Sequence, residues 1–287
     1  MNYVIITPAK NEDKYIESTI RSVVKQTILP KEWIIVDDGS TDKTGEIVKK
    51  WSLNHPWINL LRKEKSNETF GSNVIQTFYY GLNSLPCSDY EFVVKLDADL
   101  EIDSESYFEY QIEQFNNNET LGITSGITYY VKDGEKNIED HAFFHTTGAL
   151  KMYRRKCFDQ IGGLIPELGW DGIDCYKAMF HGWKTKTYYN LEVNHLGKEK
   201  DIFRKRNPEF YLKIGRSSYI RGQSLTFVLL KALKYLLNSR DIAIFQHYLY
   251  GYFNSWMKGE KKVVSKEEQI FIRGFQFRRL FYFINNH

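Results

Sequence analysis

Two short acidic motifs, Asp37-Asp38-Gly39-Ser40 and Asp97-Ala98-Asp99, each close a short apolar run. The runs are Trp33-Ile34-Ile35-Val36 and Phe92-Val93-Val94-Lys95-Leu96. Like charges repel, so four carboxylates delivered to one place by two strand ends are costly unless something compensates them. A divalent cation does so. Hard cations prefer carboxylate oxygens, and Mg²⁺ takes one or two protein carboxylates and completes its shell with phosphates and water. A third polar motif, Pro8-Ala9-Lys10-Asn11-Glu12, follows the apolar run Tyr3–Thr7. One acidic pair alone is as readily a loop cap or a helix cap. Three polar motifs at three strand ends, in this order, point to a ligand site.

The elements that would position these motifs follow from periodicity. Tyr3-Val4-Ile5-Ile6-Thr7 reads as a strand buried on both faces. From Lys14 to Gln26, apolar Ile16, Ile20, Val23 and Val24 recur at helical spacing. A strand over 33–36, a helix over 41–50 capped by Ser40 or Thr41, a strand over 58–61, a helix over 72–84 and a strand over 91–96 follow. Alternation of this kind predicts an α/β domain with a mostly parallel sheet flanked by helices. In such sheets ligands bind at the carboxyl ends of the strands, where the three motifs fall. Beyond Asp99 the alternation breaks. Leu121–Tyr130 is strand-like, 133–147 reads as a loop, Gly162-Gly163 marks a turn, Trp170–His181 enters a helix, and Lys184–Val193 alternates like a strand.

Charge divides the chain. Residues 1–197 hold 21 basic and 29 acidic side chains, net −8, whereas 198–287 hold 18 and 7, net +11. A domain over 1–197 with a basic, aromatic-rich helical extension over 198–287 is expected, its helices at 209–222, 224–238 and 241–257. The extension suits an anionic partner such as a diphosphate or a lipid surface. Ser224–Asn238 is apolar apart from Lys231 and Lys234, and 270–283 interleaves Phe271, Phe275, Phe277, Phe281, Tyr282 and Phe283 with Arg273, Arg278 and Arg279. These patterns suit a membrane interface, or packing on a core. Nucleic acid is not expected as a partner. Cys87, Cys157 and Cys175 have no metal-ligand spacing and read as free thiols. The N-terminus enters a strand at once, which is unlike a signal peptide, and no apolar run is long enough to span a bilayer. A cytoplasmic protein, peripheral on the inner face of the cell membrane, is expected.

Taken together, the motifs resemble family 2 glycosyltransferases with the GT-A fold, a Rossmann-like nucleotide-diphospho-sugar transferase architecture. The resemblance runs through Pro8–Glu12, Ser22–Thr27, Val36–Asp42 and Lys95–Asp99. It continues through Gly162-Gly163-Leu164, Gly169–Asp174 and Gly182-Trp183. The tail is similar to that of bacterial polysaccharide-biosynthesis enzymes. The resemblance implies a nucleotide-diphosphate sugar donor, Mg²⁺ or Mn²⁺ as cofactor, and inversion at the anomeric carbon. It implies that Asp38 hydrogen-bonds the nucleobase in a pocket shaped by Pro8, Ala9 and Glu12. Asp97 would face the ribose or the metal shell, and Asp99 would ligate the metal. His195 follows an apolar strand and would add a metal or phosphate contact; the plain alternative is a structural histidine.

Asp171 would be the general base for the acceptor hydroxyl, with Asp174 the alternate. Trp170 stands where the family often has Glu, and either stacks on a sugar or packs in the core. Arg204, Lys205, Arg206, Arg216 and Arg221 are candidates for phosphate contacts, and Arg62 for the wall of the base pocket. The implied acceptor is a lipid-linked glycan. The absence of a Gln-x-x-Arg-Trp motif and of spanning segments argues against a processive synthase. Other readings are a nucleotidyltransferase, a non-catalytic sugar-nucleotide-binding module and a membrane-surface scaffold. The first should carry a Gly-rich basic loop, which Pro8–Glu12 is not.

Overall fold

The computed structural model describes residues 2–63, 73–139, 144–198 and 207–285. The chain divides into two compact units, Met1–Pro166 with Trp170–Lys198, and Glu167–Gly169 with Glu199–His287.

The first unit begins with β1 (Tyr3–Ala9), α1 (Ile16–Val24), β2 (Glu32–Asp37), α2 (Thr44–Ser52), β3 (Ile58–Arg62), α3 (Asn73–Leu82) and β4 (Phe92–Leu96). It continues with β5 (Leu100–Ile102), α4 (Tyr107–Asn117), β6 (Leu121–Lys132), β7 (Glu135–Ile138), β8 (Leu150–Arg154), α5 (Arg155–Gln160), α6 (Trp170–Phe180) and β9 (Lys184–His195). One sheet runs in the order β3-β2-β1-β4-β8-β6-β9-β5, with β7 beside β6. Strands β3, β2, β1 and β4 are mutually parallel. Beyond β4 the sheet is mixed: β8 is antiparallel to both β4 and β6, and β9 is parallel to β6.

Helices on both faces explain the unbroken apolar strands. Tyr3 and Ile5 of β1 join one buried cluster with Ile16, Ile20 and Val23 of α1. Val4 and Ile6 point the other way, into a second cluster with Ile75 and Phe78 of α3. β2 repeats the division, with Trp33 and Ile35 on one side and Ile34 and Val36 on the other. α3 presses close to the sheet at Gly81, where a Cβ would lie 2.7 Å from Val36 Cγ2.

Four elements of the first unit, β5, α4, β8 and α5, have no counterpart in the sequence-based expectation. The stretch 133–147, expected to be loop, contains β7. It pairs with β6 around a two-residue turn at Asp133-Gly134, both with positive φ (53° and 81°). An Asp-Gly pair is a strong short-range signal for that hairpin turn.

The second unit is helical: α7 (Pro208–Ile220), α8 (Leu225–Ser239), α9 (Ile242–Met257) and α10 (Lys266–Asn285). Each start is capped by the local sequence. Asn207 accepts from Glu209 N at 2.9 Å, Ser224 from Phe227 N at 3.3 Å, and Asp241 from Ala243 N at 2.8 Å. Ser265 and Glu268 close a reciprocal capping box at 2.7 and 3.1 Å. α7 and α9 cross at Gly215 and Gly251, where a side chain on either would strike the other helix's backbone. Tyr219, Ile220, Val228, Ala232, Tyr248 and Tyr252 form the core. Its rings meet edge to face, as Tyr211 does Tyr235 at 4.9 Å, so much of the aromatic content serves packing.

Candidate active site

The carboxyl ends of β1 and β2 are tied together by their own loops. Asp38 N donates to Ala9 O at 2.9 Å. Asn11, at φ 56°, donates its N–H to Ser40 Oγ at 3.0 Å and accepts from Thr41 N at 2.9 Å. Glu12 N donates to Thr44 Oγ1 at 2.8 Å, and Asp13 N to Asp42 Oδ2 at 3.1 Å. Pro8, Ala9, Glu12 and Asp38 are thus held around one strand-end corner. The two aspartates of the first motif separate in role. Asp37 is buried and folds its own loop, accepting from Ser40 N at 2.7 Å. Asp38 faces Lys63, whose Nζ lies 3.4 Å from Oδ1 and also reaches Thr77 at 3.2 Å. Arg62 stands 3.7 Å from Asp37.

The second motif meets the end of β9. Leu100 pairs with His195 across the β5–β9 ladder, and Leu196 N donates to Asp99 O at 2.9 Å. His195 Nε2 thereby comes to 3.5 Å from Asp99 Oδ2, while its Nδ1 lies 3.0 Å from Glu139 Oε1. Lys198 Nζ lies 2.6 Å from the other oxygen of Glu139. Burial pulls the imidazole pKa down, but the hydrogen bonds and charges of Asp99 and Glu139 outweigh it and hold it up at about 10. Desolvation pushes the Asp97 carboxyl above its ordinary range, against the pull of Lys95 and with the push of Asp99. Gly197 leaves room for the Asp99 carboxylate, which a Cβ at that position would push aside.

The arrangement fits a divalent cation. Adjacent ligands of such an ion, at bonds of about 2.1 Å, stand about 3 Å apart. Asp99 Oδ2 and His195 Nε2 are close to that spacing, and a bound ion would take the place of the Nε2 proton that the two carboxylates otherwise hold there. Glu139 on Nδ1 leaves Nε2 facing Asp99, which is how metal-bound imidazoles are commonly oriented. Among the described residues no three His, Cys, Asp or Glu side chains already converge as a metal site. Phosphates and water would complete the shell.

Asp171 lies in the first turn of α6, its side chain against Gly148, where a Cβ would come within 2.9 Å of Asp171 Cβ. Asp174 is different. It is buried and accepts from Lys151 Nζ at 2.9 and 2.8 Å, Tyr153 OH at 2.6 Å and Cys175 N at 2.6 Å. Its carboxylate is the counter-ion of a buried lysine. Trp170 packs in the core, with Lys95 and Lys151 ammoniums 5.1 and 5.4 Å from its ring. Arg216 is engaged by Glu167 and Glu260, each at 2.8 Å, and Arg221 Nε donates to Ser217 O. Arg204, Lys205 and Arg206 lie outside the described residues.

Lys63, Lys95, Glu139 and Lys151 escaped the sequence reading. Lys95 carried a signal: a lysine inside an apolar strand, two residues before an aspartate. Glu139 carried none, because only the β6–β7 hairpin brings it to His195.

The sequence matches the profile of glycosyl transferase family 2 over residues 4–179. The chain belongs to that family. The poly-β-1,6-N-acetyl-D-glucosamine synthase of Staphylococcus epidermidis is 32% identical over 118 residues, 40% of this chain and 26% of that protein. The family 2 chain therefore spans about a quarter of the curated relatives it matches. Solved structures share its GT-A fold. The mannosyltransferase PcManGT of Pyrobaculum calidifontis, in complex with GDP-Man and Mn²⁺, aligns with TM-score 0.57 and 17% identity over 89% of this chain and 71% of that one. S. aureus TarS in complex with UDP-GlcNAc aligns with TM-score 0.55 and 19% identity over 95% and 78%.

Proposed function

We propose that this family 2 chain is an inverting glycosyltransferase. It moves a sugar from a nucleotide-diphosphate sugar to an acceptor hydroxyl. The observation that carries the reading is the approach of Asp99 and His195 to 3.5 Å at the carboxyl end of the sheet, beside Asp97. Asp99 and His195 would hold Mg²⁺ or Mn²⁺, which when bound neutralises charge on the departing diphosphate. Asp38 hydrogen-bonds the nucleobase in the corner shaped by Pro8, Ala9 and Glu12, and Asp97 faces the ribose. Asp171 takes the acceptor proton. Asp174, paired with Lys151, is not free to do so. One base and a single displacement give inversion. The named relatives, a polymer synthase of N-acetylglucosamine and a UDP-GlcNAc complex, favour a uridine-diphosphate N-acetylhexosamine as donor. Nucleoside-diphosphate release from UDP-GlcNAc and GDP-mannose, with and without Mn²⁺, tests this. Mn²⁺-dependent release of UDP is expected. Release from neither donor would remove the reading.

The acceptor we propose is a lipid-linked glycan, met at an anionic membrane face through the C-terminal helices. α8 supports this. Leu225, Leu229, Leu230, Leu233 and Leu237 are all exposed, Leu237 to 67%, and the helix contains two lysines and no acid. Leucines outward and lysines alongside suit a helix lying in a lipid interface. No helix among the described residues is long and apolar enough to cross a membrane. Flotation with phosphatidylglycerol vesicles, but not with phosphatidylcholine vesicles, is expected. Flotation with neither would contradict the membrane reading.

A further inference from the structure

The core of the first unit contains two buried lysines that the proposed chemistry does not use. Lys95 of β4 and Lys151 of β8 are directly opposed across the antiparallel ladder. Like charges in that position repel, and burial of an ammonium is costly unless it is paired. Each lysine has its own carboxylate. Lys95 pairs with Asp97 and donates to Gly148 O at 2.8 Å. Lys151 pairs with Asp174 and donates to Asp171 O at 2.5 Å. The Trp170 ring lies within 5.1 and 5.4 Å of the two ammoniums. Burial depresses the Lys151 pKa, but the Asp174 and Asp171 carboxylates raise it beyond its ordinary value, so the group stays charged.

A hydrophobic core would be satisfied by two leucines at these positions. The lysines instead reach the backbone at two places that matter to the site. One is Gly148 O, on the residue that walls the Asp171 side chain. The other is the Asp171 carbonyl itself. The groups left open at a helix start are N–H donors, so the ammonium on the Asp171 carbonyl is not a cap but an added tie from β8 to the turn that presents Asp171.

We infer that Lys151 is a positioning residue that fixes the first turn of α6, and so the Asp171 carboxylate, relative to the Asp97–Asp99 motif held by Lys95. This rests on the reading of Asp171 as the base. Substituting Lys151 alone strands Asp174, so the triple variant Lys151→Met, Tyr153→Phe and Asp174→Leu removes the whole buried polar group together. Three readouts apply: Mn²⁺-dependent UDP affinity by calorimetry, UDP release from UDP-GlcNAc, and amide hydrogen exchange.

The triple variant is expected to bind UDP within about threefold of wild type. Its kcat should fall about 10- to 100-fold, as a small misplacement of a reacting group does, and exchange should speed up in 170–180 alone. Unchanged exchange in 170–180 would overturn the inference whatever the rate. So would faster exchange throughout the domain with UDP affinity lost, since that marks plain structural support. Asp171→Asn separates the two readings. Wild-type turnover in that variant would sink the base assignment, while the exchange result would still decide the role of Lys151.

Discussion

The first unit keeps Asp37, Lys95, Lys151 and Asp174 out of solvent, whereas the second turns Leu225, Leu229, Leu230, Leu233 and Leu237 into it. Both run against ordinary partitioning, in opposite directions. The buried charges are each paired, and their partners are loop amides, carbonyls and carboxylates of the candidate site. Their desolvation cost is offset by those ion pairs and hydrogen bonds. The exposed leucines have no such partners within their helix. They line about 18 Å of one face of α8, at about 1.5 Å per residue. In the proposed reading, charge inside serves the candidate site and leucine outside serves the membrane face.

The comparison can be broken at each of its parts. Asp171→Asn should have the largest effect, lowering kcat by about 10²- to 10⁴-fold with donor KM little changed, the usual range for a lost general base. Steady-state kinetics with UDP-GlcNAc checks it. A loss confined to KM would place Asp171 in binding instead. Lys151→Met alone leaves the Asp174 carboxylate buried and unpaired, which should cost about 3–5 kcal/mol of stability. Urea unfolding followed by tryptophan fluorescence reads this, and the triple variant should recover most of it. Glu139→Gln weakens the hold on His195 Nδ1 and should reduce Mn²⁺ affinity by about 10- to 100-fold. Mn²⁺ titration under nucleotide measures it. Leu229→Glu with Leu233→Glu should abolish vesicle flotation yet move stability by no more than about 0.5 kcal/mol per substitution, as for other exposed sites. A large destabilisation would show those leucines to be covered in solution.

Much of the parallel half of the sheet was legible, because burial on both faces writes itself as the continuous runs 3–7, 33–36 and 91–96. The motif residues at their ends were legible for the same reason: polar residues stop an apolar run at a definite place. The mixed half was not. Lys151 and Arg154 interrupt the apolar pattern of β8, and their partners, Asp174 and the carbonyls of Phe115, Leu121 and Asn118, are distant in sequence. Glu139 reaches His195 only after the Asp133-Gly134 turn folds β7 back along β6. Asp171 and Asp174, three residues apart, rank as base and alternate through the resemblance alone. Their difference lies in a strand, β8, that the pattern did not announce.

The central claim is that Asp99 and His195 form a cation site that completes itself on a nucleotide diphosphate. Calorimetric titration of UDP, GDP and dTDP, each with and without Mn²⁺, on wild type and Asp99→Ala, tests it most directly. Binding of one nucleotide that requires Mn²⁺ and is lost in Asp99→Ala is the predicted result. Binding by none of the three to folded protein, or binding indifferent to Mn²⁺ and to Asp99, would contradict it.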